Sequence, residues 1–168
     1  MLVICACSFF QLPQPWRLSV LTDKISTLKL TPPVTVESGT TVGKLVEHIR
    51  RRNVGCVLIY QGNKLAGIIT ERDILLKVVA RPVSYDEPVD KFMTKNPVVL
   101  APNKTVGDAV NLMNERNFRH IPVVHDDDRA HGIVSIKDVI TLVAEFFPQQ
   151  VLNLPPRAHQ KLETPEGG

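Results

Sequence analysis

Gly67-Ile68-Ile69-Thr70-Glu71-Arg72-Asp73 has a near copy 65 residues further on, Gly132-Ile133-Val134-Ser135-Ile136-Lys137-Asp138. Each is a glycine, two aliphatics, a hydroxyl, two further residues and an aspartate. The aliphatic run reads as the end of a strand, and Thr70 or Ser135 as the N-cap of a helix that follows at once. A strand turning directly into a helix exposes the unpaired N–H groups and positive dipole end of that helix. Together with the hydroxyl and the neighbouring Arg72 or Lys137, these can hold phosphate. The aspartate sits one turn in, where its two oxygens can accept hydrogen bonds from the hydroxyls of a ribose. The same hydroxyl and aspartate also stabilise an empty helix start by capping. The duplication favours a ligand, because the cation recurs beside the aspartate although no cap needs it.

Outward from this motif the whole chain repeats. Residues 33–61 overlay 97–125 at an offset of 64, and 67–79 overlay 132–144 at 65, with the extra residue in a turn. Of the 42 paired positions 12 are identical, against about two or three by chance at average composition. Each unit reads as strand, helix, strand, strand, helix. Val34-Thr35-Val36 and Val98-Val99-Leu100 follow prolines and suit an initial strand. Thr41 to Asn53 carries Val42, Leu45, Val46 and Ile49 at helical spacing, and Thr105 to Asn117 repeats the stripe with Val106, Ala109, Val110 and Met113. Cys56 to Tyr60 and Ile121 to Val124 are apolar runs too short for helices, each followed by a polar turn. A third strand, Ala66 to Ile69 or His131 to Val134, then enters a second helix, from Glu71 to about Ala80 or from Ile136 to about Phe147. The fold class is therefore α+β, two pseudo-twofold-related β-α-β-β-α units packed through their sheets, since a half this small buries too little of its surface alone.

The divisions follow from composition. Residues 1–22 form an extension, disordered or preceding a true translation start near Val20 or Leu21. The first unit is 23–81, opened by Asp23-Lys24-Ile25. A polar, proline-bearing linker covers 82–89, the second unit 90–147, and a Pro-rich tail, extended or disordered, 148–168. The apolar start, Met1 to Phe10, is about half the length of a spanning helix and has no basic lead.

The chain has 168 residues, 43% apolar and 22% charged, which excludes disordered, collagen-like and multi-span membrane classes. A net charge of +3 is too mild to imply a polyanion partner, and 5% aromatic residues give few stacking platforms for single-stranded nucleic acid. Three cysteines without metal-ligand spacing indicate a reducing compartment, the cytoplasm. Arg50-Arg51-Arg52 points in three directions on a helix and reads as a solvated face rather than a nucleic-acid patch. His125-Asp126-Asp127-Asp128 with His131 reads as a hairpin turn rather than a metal site. His120 beside Arg119 suits either phosphate contact or a strand edge. No nucleophile, base and orienting acid stand at a recognisable spacing, so catalysis is not expected.

The two glycine-to-aspartate motifs, the segment Arg119-His120-Ile121-Pro122-Val123, the Pro-Val starts at Pro33 and Pro97 and the repeat length resemble a tandem of cystathionine-β-synthase (CBS) domains, a Bateman module. The resemblance implies a cleft between the repeats for adenosine-containing ligands: AMP, ADP or ATP, with S-adenosylmethionine or NAD less favoured, and no obligatory cofactor. It also implies a homodimer and an effector protein that reads the bound state. By position, Asp73 and Asp138 would hold ribose, Thr70 and Ser135 phosphate or ribose, and Arg72 and Lys137 phosphate. Thr35, Val57, His120, Ile121 and Pro122 would lie at the base pockets. Val57-Leu58-Ile59 departs from the second repeat's Ile121-Pro122-Val123, so the two sites need not be equivalent. The alternatives are a ligand-free interaction scaffold and a nucleic-acid binder using Arg50 to Arg52.

Overall fold

The structure is a computed structural model and describes residues 19–125 and 129–146. The readings for residues 1–18, the acidic turn 126–128 and the tail 147–168 lie outside these. The helix α1 (Ser19–Thr22), at the end of the N-terminal extension, buries Val20 to 1% exposure.

In the first repeat, β1 (Thr35–Glu37) runs parallel to β2 (Cys56–Gln61), which pairs antiparallel with β3 (Lys64–Thr70). Between β1 and β2 lies α2 (Val42–Arg52). Thr41 caps its start by accepting from the Lys44 N–H. Asn53 ends it at φ 51°, the left-handed geometry that asparagine tolerates better than most residues. The second repeat copies this with Thr105, α4 (Val106–Arg116) and Asn117 at φ 54°. It continues with β5 (His120–Val124), β6 (Ala130–Ser135) and α5 (Ile136–Phe146).

Two expectations are corrected. The first strand of the second repeat shrinks to a single bridge, Leu100 beside Val123. The helix after β3 is not α-helical throughout. It starts as α3 (Glu71–Asp73) and widens into a π-helical run, Ile74–Val79, closed by the Ala80 N–H donating to the Leu75 carbonyl. The wider turns keep Ile74 and Val78 against the first core.

Strand alternation builds three apolar layers. On β2, Val57 and Ile59 face the first helical core, while Cys56 and Leu58 face the other sheet. Cys56 and Leu58 join Leu65, Ile68 and Ile133 in a layer between the repeats. Across it the Tyr60 hydroxyl accepts from the Ala130 N–H at 2.8 Å, and Asn63 accepts from Arg129 at 2.8 Å. The repeats thus pack through their sheets.

The lead-in segments cross over. Asp23-Lys24-Ile25, expected to open the first unit, packs on the second: Ile25 donates to the Lys104 carbonyl, Val106 donates to Asp23, and Ile25 is fully buried in the second core. Reciprocally, the expected linker belongs to the first unit: Val89 donates to Thr40, Val42 donates to Glu87, and Val89 is fully buried in the first core. The chain then adds β4 (Thr94–Lys95) to the edge of β3, as Thr31 adds to Ile133. The motif glycines make room for this exchange. A Cβ on Gly67 would collide with Met93, and one on Gly132 with Leu30 at 2.5 Å.

Candidate functional site

A cleft of about 590 Å³ opens between the repeats. One wall is the β3–α3 junction with Thr70, Arg72 and Asp73; the other is the end of α4 and start of β5, with Arg116, Arg119, His120 and Pro122. Ile68, Leu75, Val98 and Phe118 make its apolar part. The polar end combines three guanidinium groups with the Asp73 carboxylate, and Arg72 Nη1 reaches across to donate to the Asn117 carbonyl at 3.4 Å.

Asp73 and Thr70 form a capping box. Asp73 Oδ2 accepts from the Thr70 N–H at 2.9 Å and from its hydroxyl at 2.7 Å, while the Asp73 N–H donates back to Thr70 Oγ1. Asp73 Oδ1 meets Lys77 Nζ at 2.7 Å. Burial pushes the Asp73 pKa up, but the hydrogen bonds from Lys77 and Thr70 and the lysine's charge outweigh it, and the carboxyl ends below its ordinary 3.8. The second repeat builds the same box, Ser135 donating to Asp138 Oδ2 at 2.8 and 2.7 Å, without a lysine.

Most of the N–H groups at the helix starts have partners within the chain. The Glu71 N–H donates to the Gly55 carbonyl, the Ile136 N–H to the Arg119 carbonyl, and the Thr70 and Asp73 N–H groups serve the capping box. These donors are already engaged within the chain. Arg72, Arg116 and Arg119 bring positive charge to the cleft lining, beside the acids Glu71 and Asp73.

His120 lies against Gly55, where a Cβ would fall 2.7 Å from the ring. Burial, then the Arg119 charge, lower its pKa below 6.5 against the opposing pull of Glu71 and Asp138, so near neutral pH the imidazole is uncharged. The repeat partner of His120 is Cys56, buried between the sheets with its thiol pushed up to about 12, chiefly by burial.

Of the expected site residues, Thr70, Arg72, Asp73, Arg119, His120 and Pro122 line this cleft. Ser135, Lys137 and Asp138 sit at the equivalent junction of the other repeat and are not part of it. Val57 and Ile121 are fully buried, their side chains turned by strand alternation into the first and second cores, and Thr35 is exposed on the edge strand β1. Arg116 and Phe118 were missed. Arg116 repeats Arg52 at the end of the equivalent helix, but Arg52 does not line the cleft and Phe118 aligns with Val54, so the repeat carried no signal for either. Arg51 of the basic run pairs with Glu47, as on a solvated helix face. His125 and His131 meet edge to face at 4.1 Å, and no group of three metal-ligating side chains gathers among the described residues.

The model of the CBS domain family matches residues 25–80 and again 89–145. The chain belongs to the CBS-domain family. Its two CBS repeats are 30% identical over 131 residues to an uncharacterized 17.7 kDa protein of Acidianus ambivalens, covering 77% of this chain and 79% of that one. Against longer relatives such as CBSCBSPB5 of Arabidopsis thaliana, at 33% identity, this CBS pair spans 21% of their length. Among solved structures it is similar to the CBS domain pair of MJ0100, in complex with 5′-methylthioadenosine and S-adenosyl-L-methionine. That likeness has a TM-score of 0.67 at 25% identity and covers 74% of this chain and 98% of that one. It also shares its fold with PAE2072 of Pyrobaculum aerophilum, complexed with AMP, at a TM-score of 0.67 and 23% identity, covering 75% and 99%.

Proposed function

We propose that this CBS pair is a regulatory, non-catalytic module that binds an adenosine phosphate in the inter-repeat cleft and passes its occupancy to a partner protein in the cytoplasm. The observation that carries this reading is the convergence of Arg72, Arg116 and Arg119 with the Asp73 carboxylate around one apolar-walled cavity. Guanidinium forks match phosphate oxygens, the carboxylate can accept from a ribose hydroxyl, and Leu75, Val98 and Phe118 offer apolar surface to a purine. Three arginines against the carboxylates of Glu71 and Asp73 leave the lining net positive, which favours AMP, ADP or ATP over the cationic sulfonium of S-adenosylmethionine. The ligands held by MJ0100 and PAE2072 place adenosine compounds in related folds, which supports the class. Occupancy shifts the packing of the halves only if the two arrangements differ in affinity, and that difference is what an effector would read. The module acts as a homodimer.

Calorimetric titration tests the site. Asp73→Ala should weaken AMP binding by at least tenfold, which is about 1.4 kcal/mol. Affinity equal to the unsubstituted protein would remove the ribose assignment. A second reading, a scaffold that binds no nucleotide, is favoured by the Asp73 carboxylate already being engaged by Thr70 and Lys77. Under that reading the melting temperature stays constant across AMP, ADP, ATP, NAD and S-adenosylmethionine, whereas a bound ligand must raise it.

A further inference from the structure

The two motif aspartates sit in nearly identical capping boxes but differ in one neighbour. Lys77 stands four residues after Asp73 and reaches its Oδ1 at 2.7 Å, with 17% of the aspartate side chain and 38% of the lysine side chain exposed. The same ammonium donates to the Phe92 carbonyl at 2.9 Å, on the crossing lead-in that also places Met93 over Gly67 and Thr94 in the cleft wall. At the equivalent position of α5 the residue is Leu142, which packs on the second core. Among the described residues Asp138 has no ion pair.

We infer that Lys77 is a positioning residue for the ribose-binding carboxylate, and that its absence from the second repeat makes the two pseudo-equivalent sites chemically unequal. The inference rests on the ribose role proposed above for Asp73. A carboxylate offers about four accepting positions. Thr70 uses two and Lys77 one, so Asp73 presents a single accepting position, held in a fixed direction because both its oxygens are anchored. Lys77 is not among the cleft-lining residues, so it acts through Asp73 and not on the ligand. Its bond to the Phe92 carbonyl ties the orientation of that carboxylate to the lead-in. Asp138, held by Ser135 through Oδ2, lacks the second anchor on Oδ1, so its carboxylate is less firmly oriented than that of Asp73 and ligand binding must complete the ordering at an entropic cost.

The test compares AMP with adenosine on the full-length chain by calorimetry, for Lys77→Met, Lys77→Arg and Asp73→Ala. Lys77→Met should weaken AMP and adenosine alike, by about tenfold, and Lys77→Arg should restore most of the loss. Binding requires the Asp73 carboxylate, whose pKa the lysine helps to lower, so affinity in Lys77→Met should start to fail at a higher pH on acidification. Loss of AMP affinity with adenosine unchanged would make Lys77 a phosphate partner and overturn the inference, as would unchanged affinity for both. Asp73→Ala separates the two levels. If it binds like the unsubstituted protein, the ribose reading itself fails; if it is weakened while Lys77→Met is not, only the role of Lys77 falls. Melting temperatures measured alongside exclude unfolding as the source of a weakened titration.

Discussion

At the scale of single residues, the motif glycines acquire a cause that their place in the pattern did not disclose. The pattern makes them part of a ligand motif, yet what demands them is the side chain of a lead-in lying across the strand. The demand differs between the copies. At Gly67 the obstacles are the flexible end of Met93 and the Thr94 carbonyl at 3.1 Å; at Gly132 it is the Leu30 Cβ, which no rotamer change can remove. Gly132→Ala should therefore destabilise by about 2–3 kcal/mol and Gly67→Ala by about 1 kcal/mol, within the range for overpacking. Chemical denaturation of both variants checks the order, and equal losses would mean that the lead-in adjusts as a body.

At the scale of elements, helix starts and ends were readable from Thr41, Asn53, Thr105 and Asn117, because capping is local chemistry written in adjacent residues. The second helices gave less away. Glu71 to Ala80 has an ordinary apolar stripe, and nothing in it reports the π-helical widening, which depends on what packs beneath. The lead-ins were legible as short turns and illegible in destination. Asp23-Lys24-Ile25 and Glu87-Pro88-Val89 each end in a β-branched apolar residue, but a partner across the molecule leaves no mark on local spacing. The candidate site was legible on its first-repeat side, where one motif holds Thr70, Arg72 and Asp73, and less so opposite, where Arg116 and Phe118 join through tertiary contact. The exchange makes an expectation that sequence order would not. Ile25→Ala should cost about 3 kcal/mol, and hydrogen exchange should show the lost protection in α4 and β5 of the second repeat rather than in α2 and β2. Loss of protection in the first repeat would contradict the crossing.

At the scale of the whole molecule, both second helices leave large apolar side chains in the open: Leu76 and Val79 on the π-helical run at 58% and 62% exposure, and Ile140 on α5 at 57%. Their inner faces are used by the two cores, and an outward apolar surface of this kind is suited to a second copy of the chain. Leu76→Glu combined with Ile140→Glu should convert the proposed homodimer to a monomer in sedimentation equilibrium while the far-ultraviolet circular dichroism stays unchanged. A molecular weight unaffected by the pair of charges would place the dimer contact elsewhere.

The crossing also decides where the chain enters and leaves. Helix α1 rests against α4 and α5, Ile25 fills the second core, and α5 closes the described chain, so residues 19 and 146 both lie on the second half. Among the described residues, the first half is strung between these two positions as a loop. Whatever is joined at residue 19 or 146 is thereby moored to the same body. Under the function proposed above, filling the cleft would move the first half against a body that holds both of these residues.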